Sequence, residues 1–123
     1  MEIKCPYAAA KEGLDPFSAA ATLKTFFCKA GVAGNLKLKR RHEYFYQVQG
    51  TMAITRRSWC DFVVWSPKGM SVERIKFEVD LWAETKPKLL NFYRKDLLPE
   101  LALPRLPRGQ PIRELTSVND VII

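Results

Sequence analysis

Two residues at the start of the chain suggest a chemistry. Glu2 and Lys4 flank Ile3, and in an extended strand positions i and i+2 project to the same face, about 7 Å apart at the strand's rise. A carboxylate able to hold Mg²⁺ beside an ammonium able to hold a water or a phosphate is a minimal hydrolytic pair. Taken alone the spacing is unspecific, because Glu-x-Lys also decorates solvent-facing strands. Charge is the second signal. From Lys24 to Arg41 there are six basic residues (Lys24, Lys29, Lys37, Lys39, Arg40, Arg41) and no acidic one. Such a run can neutralise backbone phosphates, with affinity that falls as salt rises; the plainer alternative is a solvated loop. His42 follows it as the single histidine, and a lone His ahead of a helix reads as a cap or a phosphate contact rather than a general base.

These residues need elements to position them. Met1 to Cys5 reads as a strand that Pro6 stops, since proline cannot donate to a ladder. Residues 7–41 are irregular in pattern, with Gly13, Pro16, Gly31 and Gly34 and a short helix expected over Ser18 to Cys28. Residues 42–56 predict an amphipathic helix: Phe45, Val48 and Met52 recur at the spacing of a buried face. Trp59 to Trp65 is aromatic, β-branched and almost continuously apolar, a strand expected to be covered on both faces. Ser66-Pro67-Lys68-Gly69 is turn chemistry, and Ser71 to Phe77 alternates as the return strand of a hairpin. Residues 80–98 predict a second long helix, with Pro87 marking a kink or a new start. From Pro99 onward prolines set among arginines break the pattern, and disorder is expected in the tail 103–123.

Composition bounds the rest. Within 123 residues, 20 Lys and Arg against 13 Asp and Glu give a net charge of +7, and 47% of the chain is hydrophobic. That is one soluble domain with an anionic partner, nucleic acid before membrane. No stretch approaches the ~20 apolar residues of a membrane span, and the N-terminus has no signal-peptide pattern. Cys5, Cys28 and Cys60 are odd in number and widely spaced, which argues against a disulfide framework or a zinc module. An intracellular protein is expected, nuclear in a eukaryote or cytoplasmic in a prokaryote or viral host.

The motifs together are more specific than any one of them. Glu2-Ile3-Lys4-Cys5-Pro6, then Tyr44-Phe45-Tyr46-Gln47-Val48-Gln49, then Trp59-Cys60-Asp61-Phe62-Val63-Val64-Trp65 resembles the YqaJ-type viral recombinase family. Its members are relatives of the lambda exonuclease within the PD-(D/E)XK nuclease superfamily. The likeness runs in order over residues 1–102 and leaves out 103–123. It implies an α/β (α+β) fold with a restriction-endonuclease-like core, incomplete here: the end of the Glu-x-Lys strand, a long loop, a helix, a β-hairpin and a C-terminal helix. It also implies Mg²⁺-dependent (or Mn²⁺-dependent) exonucleolytic hydrolysis of linear duplex DNA in recombination and repair, alongside a strand-annealing protein. Self-association is implied as well, because the lambda relative works as a ring.

Carried over residue by residue, the resemblance makes Glu2 the metal-binding carboxylate and the Ile3 backbone carbonyl a further metal ligand. Lys4 would orient or activate the attacking water and stabilise charge on phosphorus. Gln47 matches the glutamine that the family's helix turns towards the site, and Tyr44 the aromatic one turn before it. Helix geometry agrees: Tyr44 and Gln47 share a face, whereas Gln49 lies about 200° from Gln47, on a solvent or packing side. Lys37, Lys39, Arg40, Arg41 and His42 are the expected DNA contacts.

The family pattern also has an aspartate on the strand before Glu-x-Lys, and this sequence opens one residue before Glu2. A C-terminal portion of a nuclease domain is therefore expected, with impaired metal binding and strand 59–65 left as an exposed apolar edge. Asp15 and Asp61 are the carboxylates that could stand in, although Asp61 in an apolar strand reads rather as an ion-pair partner. The competing readings are a DNA-binding remnant that cannot cleave and a basic α+β interaction domain with an accidental Glu-x-Lys.

Overall fold

A computed structural model describes residues 1–111 as a mixed α/β chain in two compact units, Met1–Glu78 and a second beginning at Val79. The portion 1–102 expected from the sequence takes in residues of both units.

The first unit is built on a three-stranded sheet. β1 (Glu2–Lys4) pairs parallel with β4 (Trp59–Ser66), which pairs antiparallel with β5 (Gly69–Lys76). Ser66 lies opposite Gly69, so Pro67 and Lys68 form a two-residue turn, as the proline and glycine there foretell. Strand 59–65 is thus not the exposed edge expected of it but the central strand. Nor is it covered on both faces. Cys60, Phe62, Val64 and Ser66 are all buried, whereas on the other face Trp59 and Trp65 are about half exposed and Val63 alone is buried.

Helix α3 (Glu43–Thr55) forms where its period predicts, with Phe45, Val48 and Met52 buried. His42 is its N-cap: Nδ1 accepts from the Tyr44 N–H at 3.1 Å, satisfying one of the orphan donors of the first turn. Arg56 ends the helix in the left-handed region at φ 54°, a position usually given to glycine.

Residues 7–41 hold more order than their pattern suggests. α1 (Tyr7–Lys11) and α2 (Pro16–Thr22) come first, the latter capped by Asp15, whose Oδ1 accepts from the Ser18 N–H at 2.7 Å. The helix expected over 18–28 therefore begins earlier and ends at Thr22, because a Pro at the first position following an Asp cap is a start signal. β2 (Cys28–Ala30) and β3 (Leu36–Leu38) then form an antiparallel hairpin. Cys28, Leu36 and Leu38 are buried beneath it. Phe27 sets its ring edge-on to Phe62, with centroids 6.1 Å apart, joining the hairpin to the inner sheet face. Glu73 completes that junction by accepting from the Leu38 N–H at 2.7 Å.

In the second unit α4 (Val79–Phe92) runs through Pro87 without ending. A π-turn over Tyr93–Leu97 leads into α5 (Leu98–Ala102). Pro99 explains the irregular turn, since it can offer no N–H to the preceding helical carbonyls. Of the segment expected to be disordered, residues 103–111 carry a 3₁₀ turn at Leu106–Arg108, and the Arg105 N–H donates to Glu100 at 2.7 Å. Residues 112–123, including Val121-Ile122-Ile123, lie outside the described residues.

Candidate functional site

Four side chains singled out by the sequence meet at one point. In the parallel register Glu2 lies beside Phe62 and Lys4 beside Val64, so both project to the face that α3 covers. Lys4 Nζ lies 3.0 Å from Glu2 Oε1 and donates to Gln47 Oε1 at 2.9 Å. The same ammonium sits 3.9 Å from the centroid of the Tyr44 ring. A lysine ammonium has three N–H donors. Here one meets a carboxylate, one an amide oxygen and one an aromatic face, which attracts a cation through its quadrupole.

The placement follows from two local rules. Alternation along β1 puts Glu2 and Lys4 on one face, and the helical period of α3 puts Tyr44 and Gln47 one turn apart on the side towards them. Lys4 keeps 17% of its side chain exposed and Glu2 26%. The pair is drawn out of bulk water but still reachable, where a charge is felt more strongly than on an open surface. Ile3 is on the same strand with its side chain turned to the opposite face and 54% exposed.

Gln49 does other work. It is buried, donating from Nε2 to the Lys76 carbonyl at 2.9 Å and accepting at Oε1 from the Glu78 N–H at 2.9 Å. Of the two sides open to it in the sequence, packing is the one it takes. Its spacing from Phe45 and Met52, four residues after one and three before the other, is the signal that could have chosen that side; what no pattern disclosed was the pair of backbone groups that it satisfies.

The basic run divides. Lys37 pairs with Glu73 at 3.7 Å, and Arg40 makes a two-pronged pair with Glu78 at 2.8 Å on each prong while lying over the Phe45 ring. That pairing holds the Arg40 guanidinium above its ordinary pKa, chiefly through the hydrogen bond to Glu78. Lys24, Lys29 and Arg41 are exposed, Lys39 is half-buried, and none of the four forms an ion pair among the described residues. His42 is committed to the helix cap, its ring 4.7 Å from that of Tyr44 and 5.9 Å from that of Phe27.

Neither candidate replacement carboxylate lies at this point. Asp15 caps α2. Asp61 points to the other face of the sheet, where both its oxygens accept from Arg74 at 2.9 and 3.0 Å. The hydrogen bond from Arg74 holds the Asp61 carboxyl below the usual aspartate range and, reciprocally, the guanidinium above its own. Arg74 in turn lies 3.7 Å over the Trp59 ring.

A divalent cation of the Mg²⁺ kind needs several oxygen ligands. The cluster offers the Glu2 carboxylate, already paired with Lys4, and a Gln47 oxygen that already accepts from Lys4. Among the described residues no group of three or more His, Cys, Asp or Glu side chains could hold a metal ion. The residues described do not by themselves fit a pair of Mg²⁺ ions. The described residues also hold no helix long and apolar enough to cross a membrane. Comparison with family models, with curated proteins and with solved structures finds no match to this chain.

Proposed function

We propose that Glu2, Lys4, Tyr44 and Gln47 form the Glu-x-Lys part of the site of a Mg²⁺-dependent DNA exonuclease of the lambda-exonuclease kind, on a PD-(D/E)XK core. The observation that carries this reading is the position of Lys4 Nζ, 3.0 Å from Glu2 and 2.9 Å from Gln47, a residue 43 positions away in sequence. In this reading Lys4 is a fixed cation that can exchange its bond to Gln47 for one to a phosphate oxygen or a water, with no reorganisation of the backbone. Tyr44 backs the ammonium and keeps it pointed at that position. Lys24, Lys29, Lys39 and Arg41, which form no ion pair among the described residues, are the cations best placed to engage backbone phosphate, whereas Lys37 and Arg40 would first have to leave Glu73 and Glu78. The single carboxylate at the cluster favours a second form of the same reading, in which the chain binds DNA and cleaves only when a further acidic ligand joins Glu2.

Linear, end-labelled duplex DNA tests both. It is incubated with the folded chain and Mg²⁺ or Mn²⁺, beside Glu2→Ala, Lys4→Ala and an EDTA blank, and its gel shift is followed across salt. A salt-sensitive shift with intact DNA is the expected result for the chain alone. Cleavage that vanishes in both variants would mean that a second copy or another carboxylate completes the site. Absence of any shift at low salt overturns the DNA reading.

A further inference from the structure

A second charged site lies away from the Lys4 cluster. Met1, Arg56, Arg57, Ser58 and Trp59 line a cleft of about 430 Å³ where α3 ends and β4 begins. Arg56 and Arg57 are exposed and form no ion pair among the described residues. Trp59 is 49% exposed although Arg74 lies over one face of its ring at 3.7 Å. Trp59 thus keeps about half of its surface exposed and borders the cleft. By strand alternation it belongs to the side of the sheet opposite Glu2 and Lys4.

Two features make this more than surplus surface charge. Arg74 is held by both oxygens of Asp61, so the ring that it covers is backed by a fixed cation and loses little freedom when a ligand arrives. Arg56 stands in a left-handed conformation at φ 54°, its N–H donating to the Met52 carbonyl. A glycine would take that backbone without strain. Arg56 and Arg57, consecutive at that turn, both line the cleft together with Trp59. Guanidinium forks match phosphate oxygens, and an exposed indole accepts any nucleobase.

We propose that this cleft binds a single-stranded nucleic acid segment, with one base stacked on the exposed indole of Trp59 and the adjoining phosphate held by Arg56 and Arg57. The proposal does not rest on the nuclease reading, since it uses none of Glu2, Lys4, Tyr44 or Gln47. The shared chemistry is a base joined to a phosphate, present in DNA and RNA alike.

The test uses fluorescein-labelled oligothymidylate, oligouridylate and an abasic strand of the same length, about eight residues, in EDTA so that no metal-dependent step enters. Anisotropy titrations at several salt concentrations compare the unaltered chain with Trp59→Ala, Trp59→Phe, Arg56→Gly and Arg57→Gln. Base-bearing strands are expected to bind at least about ten-fold tighter than the abasic one, and Trp59→Ala to remove most of that difference while Trp59→Phe restores part of it. Arg56→Gly removes a charge while suiting the left-handed backbone, so it keeps the fold, weakens binding several-fold and lowers the salt slope by about one. Whichever of the thymidylate and uridylate strands binds tighter identifies the natural class. Equal affinity for the abasic strand, or unchanged affinity in Arg56→Gly and Arg57→Gln with the fold intact by circular dichroism, overturns the proposal. These titrations are run without metal and scored by the difference between base-bearing and abasic strands, whereas the nuclease reading is scored by metal-dependent cleavage of duplex DNA, so failure of one is distinct from failure of the other.

Discussion

Gln47 and Gln49 stand two residues apart on one helix, and they should respond to substitution in opposite ways. Gln49→Leu keeps side-chain volume but removes the donor to the Lys76 carbonyl and the acceptor for the Glu78 N–H, both at 2.9 Å. Each backbone group left without a partner in a partly buried setting costs roughly 1–2 kcal/mol, so the pair costs about 2–4 kcal/mol. For a chain of this size, with a urea slope of about 1.5 kcal/mol per M, the midpoint should fall by roughly 2 M. Gln47 is exposed, and its amide receives one bond from Lys4; Gln47→Ala should change stability by no more than about 0.5 kcal/mol. Gln49→Glu adds a sign test. The introduced carboxylate still accepts from Glu78 but sets an oxygen against the Lys76 carbonyl, which favours its protonated form. Its deficit should therefore shrink as pH falls through the carboxylic range. Urea melts give the totals, and hydrogen exchange at the Glu78 amide gives the local effect. A Gln49→Leu protein as stable as the parent, or a Glu78 amide equally protected in both, would refute the reasoning.

Other outcomes follow from the same structure. Cys5 is exposed and Cys28 buried, and burial pushes the Cys28 thiol up to about 12, with Glu73 adding to the effect. Mass spectrometry after alkylation at pH 8 should find Cys5 modified and Cys28 protected until the chain unfolds. Because the folded thiol holds its proton more tightly than the unfolded one, the stability tied to it is present below pH 9 and is lost as pH rises towards 12; melting temperatures across that range check the sign. The opposite sign holds for Asp61. Its carboxyl is lowered by Arg74, so its contribution is present above the ordinary aspartate range and lost as pH falls below it, and Asp61→Asn should flatten that acid limb. Phe62, 1% exposed and in edge-on contact with Phe27, should cost about 3–5 kcal/mol when changed to Ala, read by the same urea melts.

Local chemistry made much of this legible. The helix 43–55 is announced by Phe45, Val48 and Met52 at its period and by His42 ahead of it, which in the structure is the cap. The hairpin of β4 and β5 is written in an apolar run, a Pro-Lys turn and an alternating return. The β2–β3 hairpin was not legible, because strands of three residues each leave no period to detect, and the Leu38 amide finds its partner in Glu73, 35 residues further along the chain. The exposure of Trp59 and Trp65 was hidden for a similar reason: an apolar strand reads the same whether one face or both are covered.

The candidate site divides along the same line. Strand alternation alone put Glu2 beside Lys4, and helix period alone put Tyr44 with Gln47 and turned Gln49 away, since both are properties of a residue's near neighbours. That the Lys4 ammonium reaches Gln47, that Asp15 and Asp61 serve a helix cap and an arginine instead of Glu2, and that Lys37 and Arg40 are bound to Glu73 and Glu78 are outcomes of tertiary structure. A charge in a sequence has no partner until the chain folds. Which carboxylate lies within 4 Å of a given cation depends on which elements pack together, and that is decided by burial of a core whose members lie far apart along the chain.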